Sequence, residues 1–176
     1  YKIIYICGAF SIMIYYAFVT EVYGKYDKLT SVRNNFYYRS AIMRNRYTEN
    51  FSVIMVDADG LKKINDTYGH DIGDRLIRIV ALCITKAVGK NGSVYRTGGD
   101  EFVVVIKSKD RSLLERIDSD IHKNLSEEDK KYEFDISAST GTAIYSETEL
   151  FTDTVKRADK KMYENKNEYY AKTGKD

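Results

Sequence analysis

Apolar and polar residues alternate along this chain in several distinct patterns. From Ile3 to Val19 (IIYICGAFSIMIYYAFV) no residue is charged, and a polar join runs from Thr20 to Lys28. Beyond Thr30, a candidate N-cap, apolar residues return at helical spacing at Val32, Phe36, Tyr37, Ile42 and Met43. FSVIMVD, Phe51 to Asp57, is a continuous apolar run closed by a carboxylate, the pattern of a strand buried on both faces. Helical spacing follows, is interrupted at Tyr68-Gly69-His70, and resumes with Ile72, Leu76, Ile79, Val80 and Cys83 facing inward. Val94–Arg96 and Phe102–Lys107 read as the two strands of a hairpin around Gly98-Gly99. Ser112 to Leu125 is an amphipathic helix, Tyr132 to Tyr145 one or two strands, and Thr152 to Lys166 a last helix with Val155, Ala158 and Met162 on one stripe.

The resulting order is helix, strand, helix, hairpin, helix, strand, helix. It predicts an α+β fold with a βαββαβ core, a ferredoxin-like, palm-type sandwich preceded by an apolar N-terminal helix. A right-handed crossover joins parallel strands and leaves a gap that the second hairpin strand fills. The carboxyl end of the first strand and the hairpin turn then share one edge of the sheet, so Asp57 and Asp59 are expected to meet Asp100 and Glu101. Carboxylates gathered this way need a counter-charge, and a hard divalent cation with oxygen ligands supplies it.

The apolar run at the start is long enough, at about 17 residues, to reach the lower bound for a bilayer-spanning helix. Tyrosines cluster near its end, and Lys25, Lys28, Arg33 and Arg39 follow. The expectation is a membrane-crossing helix over 1–20, a linker over 21–28 and a folded domain over 29–176 on the cytoplasmic side. A buried or dimerising helix is the other reading of the same run. The chain does not begin with Met, which points to a longer protein with an upstream region.

Composition removes several classes of function. The formal net charge is +2, too small for nucleic-acid binding by bulk electrostatics. Cys7 and Cys83 both sit in apolar runs and offer neither a disulfide framework nor a metal-ligand spacing. DADGLKKINDTY is not a calcium loop: Gly60 stands fourth rather than sixth, and Tyr68 occupies the twelfth position that needs a glutamate. KTGKD lacks the first glycine and the hydroxyl of a phosphate-binding loop.

Five separated segments carry a resemblance. RTGGDEF at Arg96 to Phe102 resembles the signature of the GGDEF family, the bacterial diguanylate cyclases. YDKLTSVRNN resembles the family's entry motif, with Asn35 where arginine is usual. VDADGLKKINDTYGHDIGD resembles its D-x-D-x-F-K-x-x-N-D-x-x-G-H-x-x-G-D, with Leu61 for phenylalanine. STGTA and ADKKMYENK resemble its two C-terminal motifs. The likeness runs from about Asp27 to Lys166.

The resemblance implies an enzyme that joins two GTP molecules into cyclic di-GMP with release of two pyrophosphates. It implies two Mg²⁺ ions per site, with Mn²⁺ as a substitute, and a homodimer in which two domains face each other. Asp57 matches the first metal-binding aspartate, Ala58 would offer its carbonyl, and Asp100 matches a metal ligand assigned as base for the ribose hydroxyl. Glu101 takes either a direct catalytic part or an orienting one. Gly98 and Gly99 leave room for a phosphate near the backbone. Asn65 and Asp74 match guanine readers, His70 a substrate-binding position, and Lys62 and Lys166 phosphate-binding lysines. Relatives that accept ATP carry serine in place of Asp74. Arginine is usual four residues after Lys166, where this chain has Tyr170. The product-inhibition motif R-x-x-D is replaced at Gly89 and Gly92, so that site is expected to be absent. With the apolar helix, the implied location is the bacterial inner membrane, with an upstream sensor and no nucleic-acid partner. The rivals are a non-enzymatic GTP- or cyclic di-GMP-binding module and, with the same metal geometry but no basic groove, a polymerase palm.

Overall fold

The computed structural model describes residues 2–43 and 50–173, with side chains for 5–19, 24–43, 50–168, 170 and 171. Six helices and five strands follow in the order α1 (Lys2–Tyr23), β1 (Arg33–Asn34), α2 (Asn35–Met43), β2 (Ser52–Ala58), α3 (Leu61–Tyr68), α4 (His70–Val88), β3 (Gly92–Arg96), β4 (Glu101–Ile106), α5 (Arg111–Asp129), β5 (Ala138–Ile144) and α6 (Phe151–Thr173). The strands form one sheet in the order β1-β3-β4-β2-β5. β4 lies antiparallel between β3 and β2, filling the gap left by the crossover, and β5 pairs antiparallel with the other side of β2.

Alternation along the strands sends residues to two apolar layers. Ile54, Val56, Phe102 and Val104 pack with Leu76, Ile84, Ile117 and Ile121 of α4 and α5. Val53, Met55, Val103 and Val105 pack with Tyr95, Ala158 and Met162 on the α6 side. The central strand is therefore buried along its whole length, as its unbroken apolar run predicts. On the α6 side the approach is close. A Cβ placed on Gly141 of β5 would stand 2.2 Å from both the Ala158 carbonyl oxygen and the Met162 amide nitrogen, so the helix backbone rests directly on the strand there.

The structure corrects the sequence reading in three places. Thr30 does not cap a helix; its amide and hydroxyl bond to Asp27 Oδ1 at 2.9 and 2.7 Å, in a turn where Ser31 takes φ 61°. Asn34 caps α2 instead, accepting from the Tyr37 amide at 2.9 Å. Between the two lies the short strand β1, parallel to β3, which periodicity does not reveal. The third correction concerns the membrane. Among the described residues no helix is long and apolar enough to cross one, so the spanning helix over 1–20, the anchor and the inner-membrane location are withdrawn. Tyr5, Ser11, Tyr15 and Tyr16 interrupt the apolar surface of α1.

The β5–α6 connection is held by Glu149. Its carboxylate accepts from the Ser146 amide at 2.9 Å, from Thr154 Oγ1 at 2.8 Å and from Arg157 through Nε at 3.0 Å and through Nη2. Arg157 Nη2 also donates to the Ile144 carbonyl at 2.6 Å, joining the end of β5 to α6. The Arg157 bonds, with those from Ser146 and Thr154, lower the Glu149 pKa to about 2 from an ordinary 4.5. A depressed folded-state pKa contributes stability above the unfolded value that is lost as pH falls through the folded one. Urea unfolding between pH 4.5 and about 2 is therefore expected to show a steeper loss of stability in the parent than in Glu149→Gln. Parallel slopes would show that Glu149 is not perturbed by this network.

Candidate active site

The last turn of β2 and the β3–β4 hairpin build one rim. Asp57 is in register with Glu101, and the Ala58 amide donates to the Asp100 carbonyl at 3.0 Å. Asp57 is 7% exposed and its carboxylate receives Lys166 Nζ of α6 at 2.5 Å. Burial pushes the Asp57 carboxyl up, Lys166 pulls it down, and neighbouring Asp100 and Asp59 push it up again. The expected meeting of Asp57 with Asp100 is observed.

The wider gathering of four carboxylates is not. Among the described residues no three His, Cys, Asp or Glu side chains converge on a cation position. Asp59, 6% exposed, accepts from Ser139 Oγ at 2.8 Å, and burial raises its pKa against the bonds from Ser139 and Ser137. Glu101 is exposed, with its carboxylate beside Gly98. What remains is a set of hard oxygen donors: the Asp57 and Asp100 carboxylates and the Ala58 backbone. Magnesium is commonly held by one or two carboxylates plus substrate phosphates, and this donor set fits that arrangement. The buried Asp57 carboxylate already takes a cationic partner, in the form of Lys166.

The glycines of the hairpin serve space rather than turn conformation. Neither Gly98 nor Gly99 is among the residues of positive φ, and no heavy atom lies within 4 Å of a Cβ built on Gly99. The turn is held from outside by Arg96, which donates to the Gly99 carbonyl through Nη2 at 2.6 Å and Nε at 3.2 Å. Its Nη1 reaches Asp27 Oδ1 at 2.9 Å. Burial raises the Asp27 pKa, but the bonds from Thr30 and Arg96 outweigh it and hold the carboxyl below its usual range. Arg96 thus joins the segment leaving α1 to the turn that carries Asp100. Both residues lie in quoted motifs, yet nothing in their spacing says that they touch.

A cleft of 690 Å³ opens beside the rim. Of the expected site residues, Ala58, Lys62, Asp100 and Lys166 line it; Asp59 and Tyr170, not in that set, line it too. Tyr68 and Phe134, with ring centroids 6.4 Å apart, add an aromatic wall that the sequence reading placed in no site. Asn65 is half-buried on α3, while His70 and Asp74 are exposed on α4, and none of the three lines the cleft. Asn65 depends on a glycine of the next helix. A Cβ on Gly73 would stand 1.9 Å from Asn65 Oδ1 and 3.1 Å from Leu61 Cδ1.

The family described as "Diguanylate cyclase, GGDEF domain" matches residues 24–171. The chain belongs to the GGDEF family. It is 34% identical over 149 residues to diguanylate cyclase DgcS of Shewanella oneidensis and 31% identical over 152 residues to diguanylate cyclase A of Treponema denticola, covering 80% of this chain in each case. The GGDEF chain spans 49% and 41% of those two proteins. Its fold matches the coiled coil and GGDEF domain of DgcB from Caulobacter crescentus with a TM-score of 0.81 at 22% identity, covering 94% of each chain.

Arg96→Met is expected to destabilise this GGDEF chain by about 1–3 kcal/mol, because it leaves a partly buried Asp27 without its charged partner. Hydrogen exchange at residues 97–101 should quicken with it. Unchanged exchange there would mean that Arg96 does not hold the turn.

Proposed function

We propose that this chain is a diguanylate cyclase, joining two GTP molecules into cyclic di-GMP and two pyrophosphates. The observation that carries the reading is the placement of Asp57 and Asp100 at one rim, where the Ala58 amide donates to the Asp100 carbonyl at 3.0 Å, within a chain whose GGDEF relatives bear that activity in their names. In each half-reaction the ribose 3′-oxygen forms a bond to the α-phosphorus of the other nucleotide. The bond from that phosphorus to the bridging oxygen breaks, and pyrophosphate leaves with the electron pair. Asp100 stands where the hydroxyl proton is to be taken, and Glu101, exposed beside Gly98, orients the turn.

Asp57, Asp100 and the Ala58 carbonyl would hold Mg²⁺ or Mn²⁺. When bound, the cation supplies neutralisation of triphosphate charge and a more acidic 3′-hydroxyl. The open space at Gly99 admits a phosphate close to the backbone. Lys62 and Lys166 offer ammonium groups to the phosphates, and His70 is assigned to substrate binding. Asn65 and Asp74 read guanine: an ionised carboxylate accepts from its N1–H and exocyclic amine together, a pair of donors that adenine lacks. One cleft holds one nucleotide, so two copies of the chain must face each other for the bonds to close. Product inhibition through an R-x-x-D site is not expected, since Gly89 and Gly92 stand at its two charged positions.

A second reading, a module that binds GTP or cyclic di-GMP without turnover, draws support from Tyr170 standing in place of the usual arginine. Pyrophosphate release from GTP and Mg²⁺ by a dimerised chain separates the two. Asp100→Ala is expected to lower turnover at least about a hundredfold with the circular dichroism spectrum unchanged; an unaltered rate removes Asp100 from the chemistry. Asp74→Ser should cut the preference for GTP over ATP by about a hundredfold or more in competition binding. Undiminished selectivity would take the guanine-reading role away from Asp74.

A further inference from the structure

Two side chains one turn apart on α6, Lys166 and Tyr170, enter the cleft together. Lys166 Nζ lies 2.5 Å from Asp57 Oδ1, on the carboxylate expected to hold a divalent cation. Its ammonium stands 6.0 Å from the Tyr170 ring centroid, in cation–π range. Tyr170 is itself tied to the Gly60 backbone at the mouth of α3 by a hydrogen bond. Around them, five carboxylates (Asp59, Asp66, Asp100, Glu133 and Asp135) line the cleft against three lysines.

We propose that Lys166 is a built-in counter-cation for Asp57, held in place by Tyr170, so that the cleft takes a divalent cation and a triphosphate as one complex and takes neither alone. The proposal rests on the nucleotide reading above. A free divalent cation reaching Asp57 meets an ammonium already on the ligand oxygen, and the two positive charges cannot share that carboxylate without strong repulsion. Displaced by the metal alone, Lys166 exchanges a short charged hydrogen bond for water. A metal-free triphosphate brings several negative charges into a cleft where carboxylates already outnumber lysines. The complex of the two resolves both conflicts. Its cation replaces the ammonium on Asp57, and its phosphates offer Lys166 a new anionic partner. Asp57 and Lys166 then stay paired throughout, which matters because an unpaired buried charge is costly.

The experiment measures Mn²⁺ binding to the full chain by electron paramagnetic resonance, with and without a non-hydrolysable GTP analogue. Without nucleotide the parent should bind Mn²⁺ weakly. Lys166→Met should bind it at least about tenfold more tightly, because the competing charge is gone. Lys166→Arg, which keeps the cation, should stay as weak as the parent. With the analogue present, the parent's Mn²⁺ affinity should rise and the advantage of Lys166→Met should vanish. Lys166→Met that binds Mn²⁺ no more tightly than the parent overturns the proposal. Where Lys166→Met does not fold, Tyr170→Leu carries the test: it removes the ring over the ammonium and should tighten nucleotide-free Mn²⁺ binding about threefold, and an unchanged affinity overturns the proposal equally. If the parent takes up analogue with Mn²⁺ normally, the nucleotide reading survives such a result. If it takes up neither in combination, both fail.

Discussion

A carboxylate stands at the buried end of the central strand, and the rest of the site is arranged around that fact. β2 is covered on both faces up to its last residues, so Asp57 sits largely out of water. An ionised group there is costly without a partner. The partner comes from α6, and it can come only because α6 lies directly on the sheet. Gly141 permits that approach; any side chain at this position would collide with the Ala158 and Met162 backbone. A missing side chain on β5 thus sets the height of the helix, the height sets the reach of Lys166, and that reach settles how Asp57 is neutralised.

A second charge pair holds the other half of the rim. Asp27 leaves the N-terminal helix, meets Arg96, and Arg96 in turn holds the Gly99 carbonyl of the hairpin turn. The two pairs work differently. Lys166 lines the cleft and draws in Asp57 from the end of β2, whereas Arg96–Asp27 lies behind the turn. The turn itself has neither positive φ nor packing at Gly99; the Thr97 and Gly98 amides donate to the Glu101 carbonyl within it at 3.0 and 3.4 Å, and Arg96 adds its bonds from outside.

Much of the fold was legible because burial leaves a direct imprint on sequence. FSVIMVD could be read as a two-faced buried strand, and strand order then followed from connection rules, which brought Asp57 to Asp100 before any coordinates. The break at Gly69 between α3 and α4 was visible for the same kind of reason: the residue takes φ 86°. What stayed hidden was set by contacts distant in sequence. The strand Arg33–Asn34 has no periodicity to read; Arg33 binds Ser93 Oγ at 2.8 Å across the sheet. Asp59 follows β2 two residues after Asp57, but Ser139 on the neighbouring strand claims it. The N-terminal run shows the opposite error, in which an uncharged stretch was read as a membrane span although tyrosines and a serine interrupt it.

Two of the departures from the family pattern, Leu61 and Tyr170, line the cleft. Leu61 in place of phenylalanine packs beside Asn65 over Gly73, so the smaller side chain sits where the helix pair is already tight. Tyr170 in place of arginine removes a cation from a cleft whose carboxylates outnumber its lysines. On the proposed reading, a triphosphate entering here would find less fixed positive charge than a lysine and an arginine together provide, and the deficit would be met by charge that travels with the ligand. An aromatic ring over Lys166 does not restore the missing charge; it stabilises the ammonium where it is, on Asp57. On the proposed reading, the balance between lysine and divalent cation at Asp57, rather than the number of phosphate contacts, would govern whether a nucleotide is held.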